Sequence, residues 1–183
     1  MNAKIALAAA QALSMVVLLI IARWYLVPWL KTQGRADALT PLLWLHAFRY
    51  VALQSFSAQM AGFPISNSAR DEILFGDITG AALAVAALIA LRYKARISIP
   101  LVWVLAAETM TDTVINVHSG MREHLFGLAT GVTWLVVSFY VPAIMVSIGL
   151  LIWQLYSRRG EALERVQRVP VRESDRRPVA IAG

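Results

Sequence analysis

Residues 5–27 read IALAAAQALSMVVLLIIARWYLV, and the first eighteen of them, 5–22, carry no charged side chain. A helix needs about 20 mostly apolar residues to cross a hydrocarbon core of about 30 Å. Four further stretches qualify on the same count: 41–63, 72–91, 99–118 and 129–156. The chain is therefore predicted to be all-α, a polytopic transmembrane helical bundle of five spans over 1–156. Composition points the same way. Of the 183 residues 58% are hydrophobic and only 15% are charged, against about 25% charged in an ordinary soluble domain. That balance excludes a disordered chain. With no cysteine, disulfides, thiolate metal sites, iron–sulfur clusters and a cysteine nucleophile are excluded as well.

The span boundaries carry local signals. Thr40 is expected to cap the second span, with Pro41 at its first helical position, where its missing N–H costs nothing. Ser98 is expected to cap the fourth, with Pro100 in the first turn. The first span resembles a signal peptide only in part. Its small-residue tract, Ala8 to Ala10, precedes the strongest apolar run, and Ala22-Arg23-Trp24-Tyr25 after that run is a poor cleavage site. It is read as a retained anchor. Trp24, Tyr25, Trp29, Tyr93, Trp153 and Tyr156 fall at span ends, where amphipathic rings favour the headgroup level.

Orientation follows from lysine and arginine. One side of a five-span chain holds Arg23, Lys31, Arg35, Arg92, Lys94, Arg96 and the seven arginines of the tail, thirteen in all, and the other holds Lys4, Arg70 and Arg122. The basic side is cytoplasmic, so the N-terminus is expected outside, the C-terminus inside, and the protein in the inner (plasma) membrane. The tail, 157–183, has seven arginines and four acidic residues but few large apolar ones, and is expected to be disordered. It has no aromatic stacking platform beyond Tyr156, so the formal net charge of +6 is read as topology and not as nucleic-acid binding.

Within the spans lie residues that hydrocarbon does not tolerate. A charge at a helix centre costs ~2.5–3.5 kcal/mol on insertion scales and usually faces the bundle interior. The second span carries His46 and Arg49, on a helical stripe with Tyr50, Leu53, Gln54 and Ser57. The fourth carries Glu108, Asp112 and Asn116, each four residues apart. The third carries Asp77 between Gly76 and Gly80, which with Ala84 form a small-residue ridge suited to close helix approach. At 1.5 Å per residue, Arg49, Asp77, Glu108 and Asp112 share a depth band from the midplane outward, with His46 about a turn further in. A buried polar site is therefore predicted from His46, Arg49, Tyr50, Gln54, Asp77, Glu108, Asp112 and Asn116. Arg49 and Glu108 are the expected ion pair. Three acids against one arginine leave Asp77 and Asp112 without a counter-charge, so protonation, a cation, a cationic ligand or water has to fill the gap.

Several chemistries find no support. Only one histidine, His46, lies inside a span, so a bis-histidine haem is rejected. No His-Glu-x-x-His, Gly-x-Ser-x-Gly, phosphate loop or dinucleotide fingerprint is present, and no metal or other cofactor is expected. Glu108 with Asp112, or His118, Glu123 and His124 near the outer surface, would make at best weak cation sites. Ser55, Ser57, Ser138 and Ser147 read as packing hydroxyls, and Pro142 should free the carbonyl of Ser138. Binding, and also translocation, of a small or amphipathic ligand or ion is the leading expectation. An acid/base enzyme acting on a lipid-soluble substrate, by analogy with small five-span isomerases, and a non-catalytic accessory or assembly subunit are the alternatives. The expected partners are the bilayer, the ligand, and a second copy or a membrane partner protein.

Overall fold

A computed structural model describes residues 2–161, so most of the arginine-rich tail, 162–183, lies outside the described residues. The described chain is all helical, and four of its helices are long and apolar enough to cross a membrane: α1 (Ala3–Thr32), α4 (Asn67–Arg92), α5 (Ser98–Arg122) and α6 (Gly131–Ser157). The fifth apolar stretch folds differently. It divides into α2 (Arg35–Ala47), a six-residue 3-10 segment (Phe48–Leu53) and α3 (Gln54–Met60), which follow one another without a loop.

Two expected caps are corrected. The helix that holds Thr40 begins earlier, at Arg35 with Gly34 as its N-cap. Thr40 donates its hydroxyl to the Ala36 carbonyl at 2.9 Å, and Pro41 lies inside the helix. The helix starts six residues before the sequence pattern placed it, so Pro41 falls in the interior, where it has no N–H to give the Asp37 carbonyl. Ser98 is likewise the first residue of α5 rather than its cap, which is Ile97, and its hydroxyl donates to the Ala95 carbonyl at 2.8 Å. Ser66, in contrast, does cap α4, accepting from the Ala69 N–H.

Both prolines that follow apolar runs sit behind a wide π-helical turn, Ala22–Leu26 before Pro28 and Val136–Tyr140 before Pro142. In α6 the Val141 N–H bonds to the Val136 carbonyl, five residues back. In that register the partner missing at Pro142 is the one Val137 would have used, not Ser138 as the ordinary helical rule predicts. Gln11 Nε2, from α1, donates to the Val137 carbonyl at 3.2 Å. A buried carbonyl without a donor costs free energy comparable to a lost hydrogen bond, and a side chain from a neighbouring helix removes that cost.

The core lies among α2, α4, α5 and α6, where Leu39, Leu43, Leu105 and Leu151 are fully buried around Ala84 and Ala87 of α4. Those alanines present little bulk, so α2 and α5 both settle against α4. Ser147 fixes α6 to α2 through the Leu42 carbonyl. Helix α1 packs mainly on α6 and leaves Leu13, Val16 and Val17 exposed on its other side. At the end where α1 stops, Arg158 is buried and donates to the carbonyls of Gln33 (2.7 Å) and Leu30 (2.5 Å). A cation there meets the negative end of the α1 dipole. At the opposite end the Glu123 carboxylate accepts from both the backbone N–H (3.0 Å) and the hydroxyl (2.7 Å) of Ser66, joining the turn before α4 to the turn after α5.

Candidate functional site

Arg49 sits at the centre of the molecule, 1% exposed. Its place follows from the 3-10 segment. In a 3-10 helix side chains three apart eclipse one another, and Arg49, Ala52 and Ser55 are buried at that spacing, 1%, 7% and 8% exposed. Tyr50 and Leu53, expected on the same polar stripe, are turned out to 52% and 46% exposure. The tighter winding splits a stripe that a 3.6-residue period draws as continuous. Tyr50 therefore lies outside the site, with its ring tilted against Phe48 at 6.0 Å.

The guanidinium reaches three carboxylates on two helices. Nε donates to Asp77 Oδ1 of α4 at 2.9 Å, Nη1 to Glu108 Oε2 at 2.7 Å, and Nη2 to Asp112 Oδ2 at 2.5 Å. Nη1 also donates to Thr109 Oγ1 at 3.0 Å. Asn116, one turn beyond Asp112, donates to the same Asp112 Oδ2 at 3.0 Å. The expected pairing of Arg49 with Glu108 is present, and Asp77 and Asp112 find hydrogen-bond partners on the same guanidinium, although the excess of acids over arginine stands. One arginine, with five donors in a fixed fork, hydrogen-bonds all three acids.

Glycine makes the room. A Cβ on Gly80 would overlap Nη1 and Cζ of Arg49, and a Cβ on Gly76 would overlap the Asp112 carboxylate. The small-residue ridge of α4 is thus a groove that receives the charged heads, beyond any part it has in close helix packing. Thr109, Gly76 and Gly80 complete the cluster. The glycine spacing was visible in the sequence as a packing signal, and Thr109, with Thr113, as a neighbour of the Glu108, Asp112 and Asn116 stripe.

His46 does not join the cluster. It is fully buried, and neither ring nitrogen has a hydrogen-bond partner among the described residues. Gln54 stands apart from the ions as well, and its Oε1 accepts from Thr133 of α6 at 3.0 Å.

Beside the cluster is a cavity of about 230 Å³, with Arg49, Asp77, Thr109, Asp112 and Asn116 on one wall. The rest is largely apolar, drawn from α1, α6 and the turns that precede α4 and follow α5, and includes Phe63, Ile65, Leu125 and Phe126. Tyr140, Gln54, Thr133 and Ser55 add isolated polar groups. The wide turn of α6 contributes directly: Val136, Val137 and Tyr140 line the cavity, and the Tyr140 hydroxyl donates to the Leu45 carbonyl at 2.8 Å. A mostly apolar concavity with a few convergent polar groups is the usual form of a small-molecule site. Among the described residues no three histidine, aspartate or glutamate side chains converge to hold a metal. At the turn after α5, Glu123 is engaged by Ser66, whose two hydrogen bonds hold its carboxyl below the usual range.

Comparison with known proteins supplies a family and no further relative. No curated protein and no solved structure matches the chain. Residues 6–156, which include every residue of the Arg49 cluster, match the family model described as a domain of unknown function, DUF8737, and the chain belongs to that family.

Proposed function

We propose that this is a multi-pass protein of the inner membrane that binds a small or amphipathic ligand in the cavity beside Arg49. The observation that carries the reading is the cavity itself, an apolar chamber whose one charged wall is an arginine held by three carboxylates. Burying four ionisable groups is expensive, and a scaffold needs no chamber beside them. In this reading α2, the 3-10 segment and α3 together make the second of five spans. The thirteen-to-three split of lysine and arginine supports an N-terminus outside and a C-terminus inside. The exposed leucines and valines of α1 suit a hydrocarbon solvent.

Two measurements test the proposal. Reporter fusions after Lys31, Arg96 and Arg159 should all read cytoplasmic, and one outside reading breaks the five-span topology. Mass spectrometry of small molecules that co-purify in mild detergent should find one retained by the wild type and lost in Ala129→Trp, which fills the cavity from its lining. Identical profiles for the two proteins would contradict a ligand site.

A further inference from the structure

The class of ligand follows from which atoms around the cavity remain unpaired, an inference that rests on the pocket reading above. Arg49 has five N–H groups, and four of them already donate to Asp77, Glu108, Thr109 and Asp112. Little is left to receive an anion. The atoms of the cluster that are buried without a partner among the described residues are acceptors, Glu108 Oε1 and Asn116 Oδ1, and of the two residues Asn116 lines the cavity. Three carboxylates against one guanidinium also leave two formal negative charges. A third observation concerns another residue of the lining. Ser55, 8% exposed, lines the cavity, and its hydroxyl has no partner among the described residues. Arg49, Asp77 and Asp112 are the charged residues of the lining, so no second cation stands between the apolar end and the acids.

We propose that the cavity takes a small cationic amphiphile: a protonated amine seated against Asp112, Asp77 and Asn116, with its hydrocarbon body among Phe63, Leu125 and Phe126. An ammonium is all donors, which is what the unpaired Asn116 Oδ1 on the cavity wall lacks, and its charge offsets the acidic excess. The volume of about 230 Å³ holds about eight groups of water size at ~30 Å³ each. That sets the scale at an alkyl or aryl amine of about seven carbons.

The test uses three probes of one length on the full chain in lipid nanodiscs at pH 7: heptylammonium, 1-heptanol and heptanoate. Titration calorimetry, with empty nanodiscs subtracted, reads binding to the wild type and to Ala129→Trp. The expected result is heptylammonium at least tenfold tighter than 1-heptanol, no measurable heptanoate, and loss of binding in Ala129→Trp. Should that variant not accumulate, Thr133→Phe fills the same chamber, and the ranking of probes on the wild type needs neither variant. Equal affinity for the alcohol and the ammonium, or preference for heptanoate, with binding still lost on filling the cavity, would overturn the cationic ligand and leave the pocket standing. Absence of binding by all three probes, or binding indifferent to the filled cavity, would overturn the pocket and this inference with it.

Discussion

Gly80→Ala separates two opposing expectations. In a helix interior, alanine is favoured over glycine by roughly 0.5–1 kcal/mol because glycine loses more backbone freedom on folding. At this position the added methyl meets the Arg49 guanidinium carbon and Nη1, with Glu108 Oε2 next to them at 2.9 Å. Arginine is long, but this one cannot swing aside freely, since Nε, Nη1 and Nη2 are held on two helices. Overpacking costs ~1–3 kcal/mol, and losing one hydrogen bond to a charged group costs ~1.5–3 kcal/mol. Set against the propensity gain, the net is a destabilisation of roughly 2–5 kcal/mol. Gly149→Ala is the control, because a Cβ there meets nothing within 4 Å, and it should be neutral or stabilising by up to ~1 kcal/mol. Reversible unfolding in mixed micelles, titrated with a denaturing detergent, measures both. A Gly80→Ala protein as stable as the wild type would refute the placement of Arg49 in the α4 groove.

Three other perturbations follow from the same geometry. Arg49→Met strands three acids and should cost at least the ~3–5 kcal/mol typical of a broken buried pair; Glu108→Leu added to it should recover only part, because Asp77 and Asp112 remain, and strictly additive effects in the same unfolding assay would mean the residues do not touch. Gln11→Leu leaves the Val137 carbonyl without a donor and should destabilise by ~1–3 kcal/mol, while hydrogen exchange in α6 rises around the wide turn; unchanged exchange there would dismiss the bond. The Ser66 hydrogen bonds hold the Glu123 carboxyl below its ordinary range, so their contribution is present above the unfolded value of ~4.3 and is lost as pH falls through the depressed folded value. Wild type should therefore be more stable than Glu123→Gln at neutral pH, and the gap should close in acid; a gap independent of pH would contradict it.

Much of the cluster was legible in the sequence because hydrocarbon makes charge conspicuous. Arg49, Asp77, Glu108, Asp112 and Asn116 could be picked out by their cost inside apolar runs, and a rise of 1.5 Å per residue put them at one depth. Depth is a single coordinate, however. It cannot say which way a side chain turns, and so it left Asp77 and Asp112 unpaired when one guanidinium reaches both. The stripe through His46, Tyr50 and Gln54 divides for a related reason, with Tyr50 turned outward, His46 buried without a hydrogen bond and Gln54 in the cavity lining. It assumed one helical period across 41–63, and the 3-10 segment Phe48–Leu53 has another. Nothing in FRYVAL announces that winding; it accompanies the burial of Arg49 against two helices distant in sequence. The caps at Thr40 and Ser98 erred because serine and threonine hydroxyls can also bond backward to a carbonyl, and local sequence does not choose between the two. Gln11 and Val137 were out of reach altogether, since their contact joins positions 126 residues apart.

The most direct test of the central claim is a density map of the full chain in native-like lipid. The account predicts a chamber between the Asp112 and Asn116 side chains and the turns bearing Phe63 and Leu125, filled by a discrete small molecule with its polar end at the acids. A chamber collapsed around Arg49, or one filled only by the acyl chains of the surrounding bilayer, would contradict it.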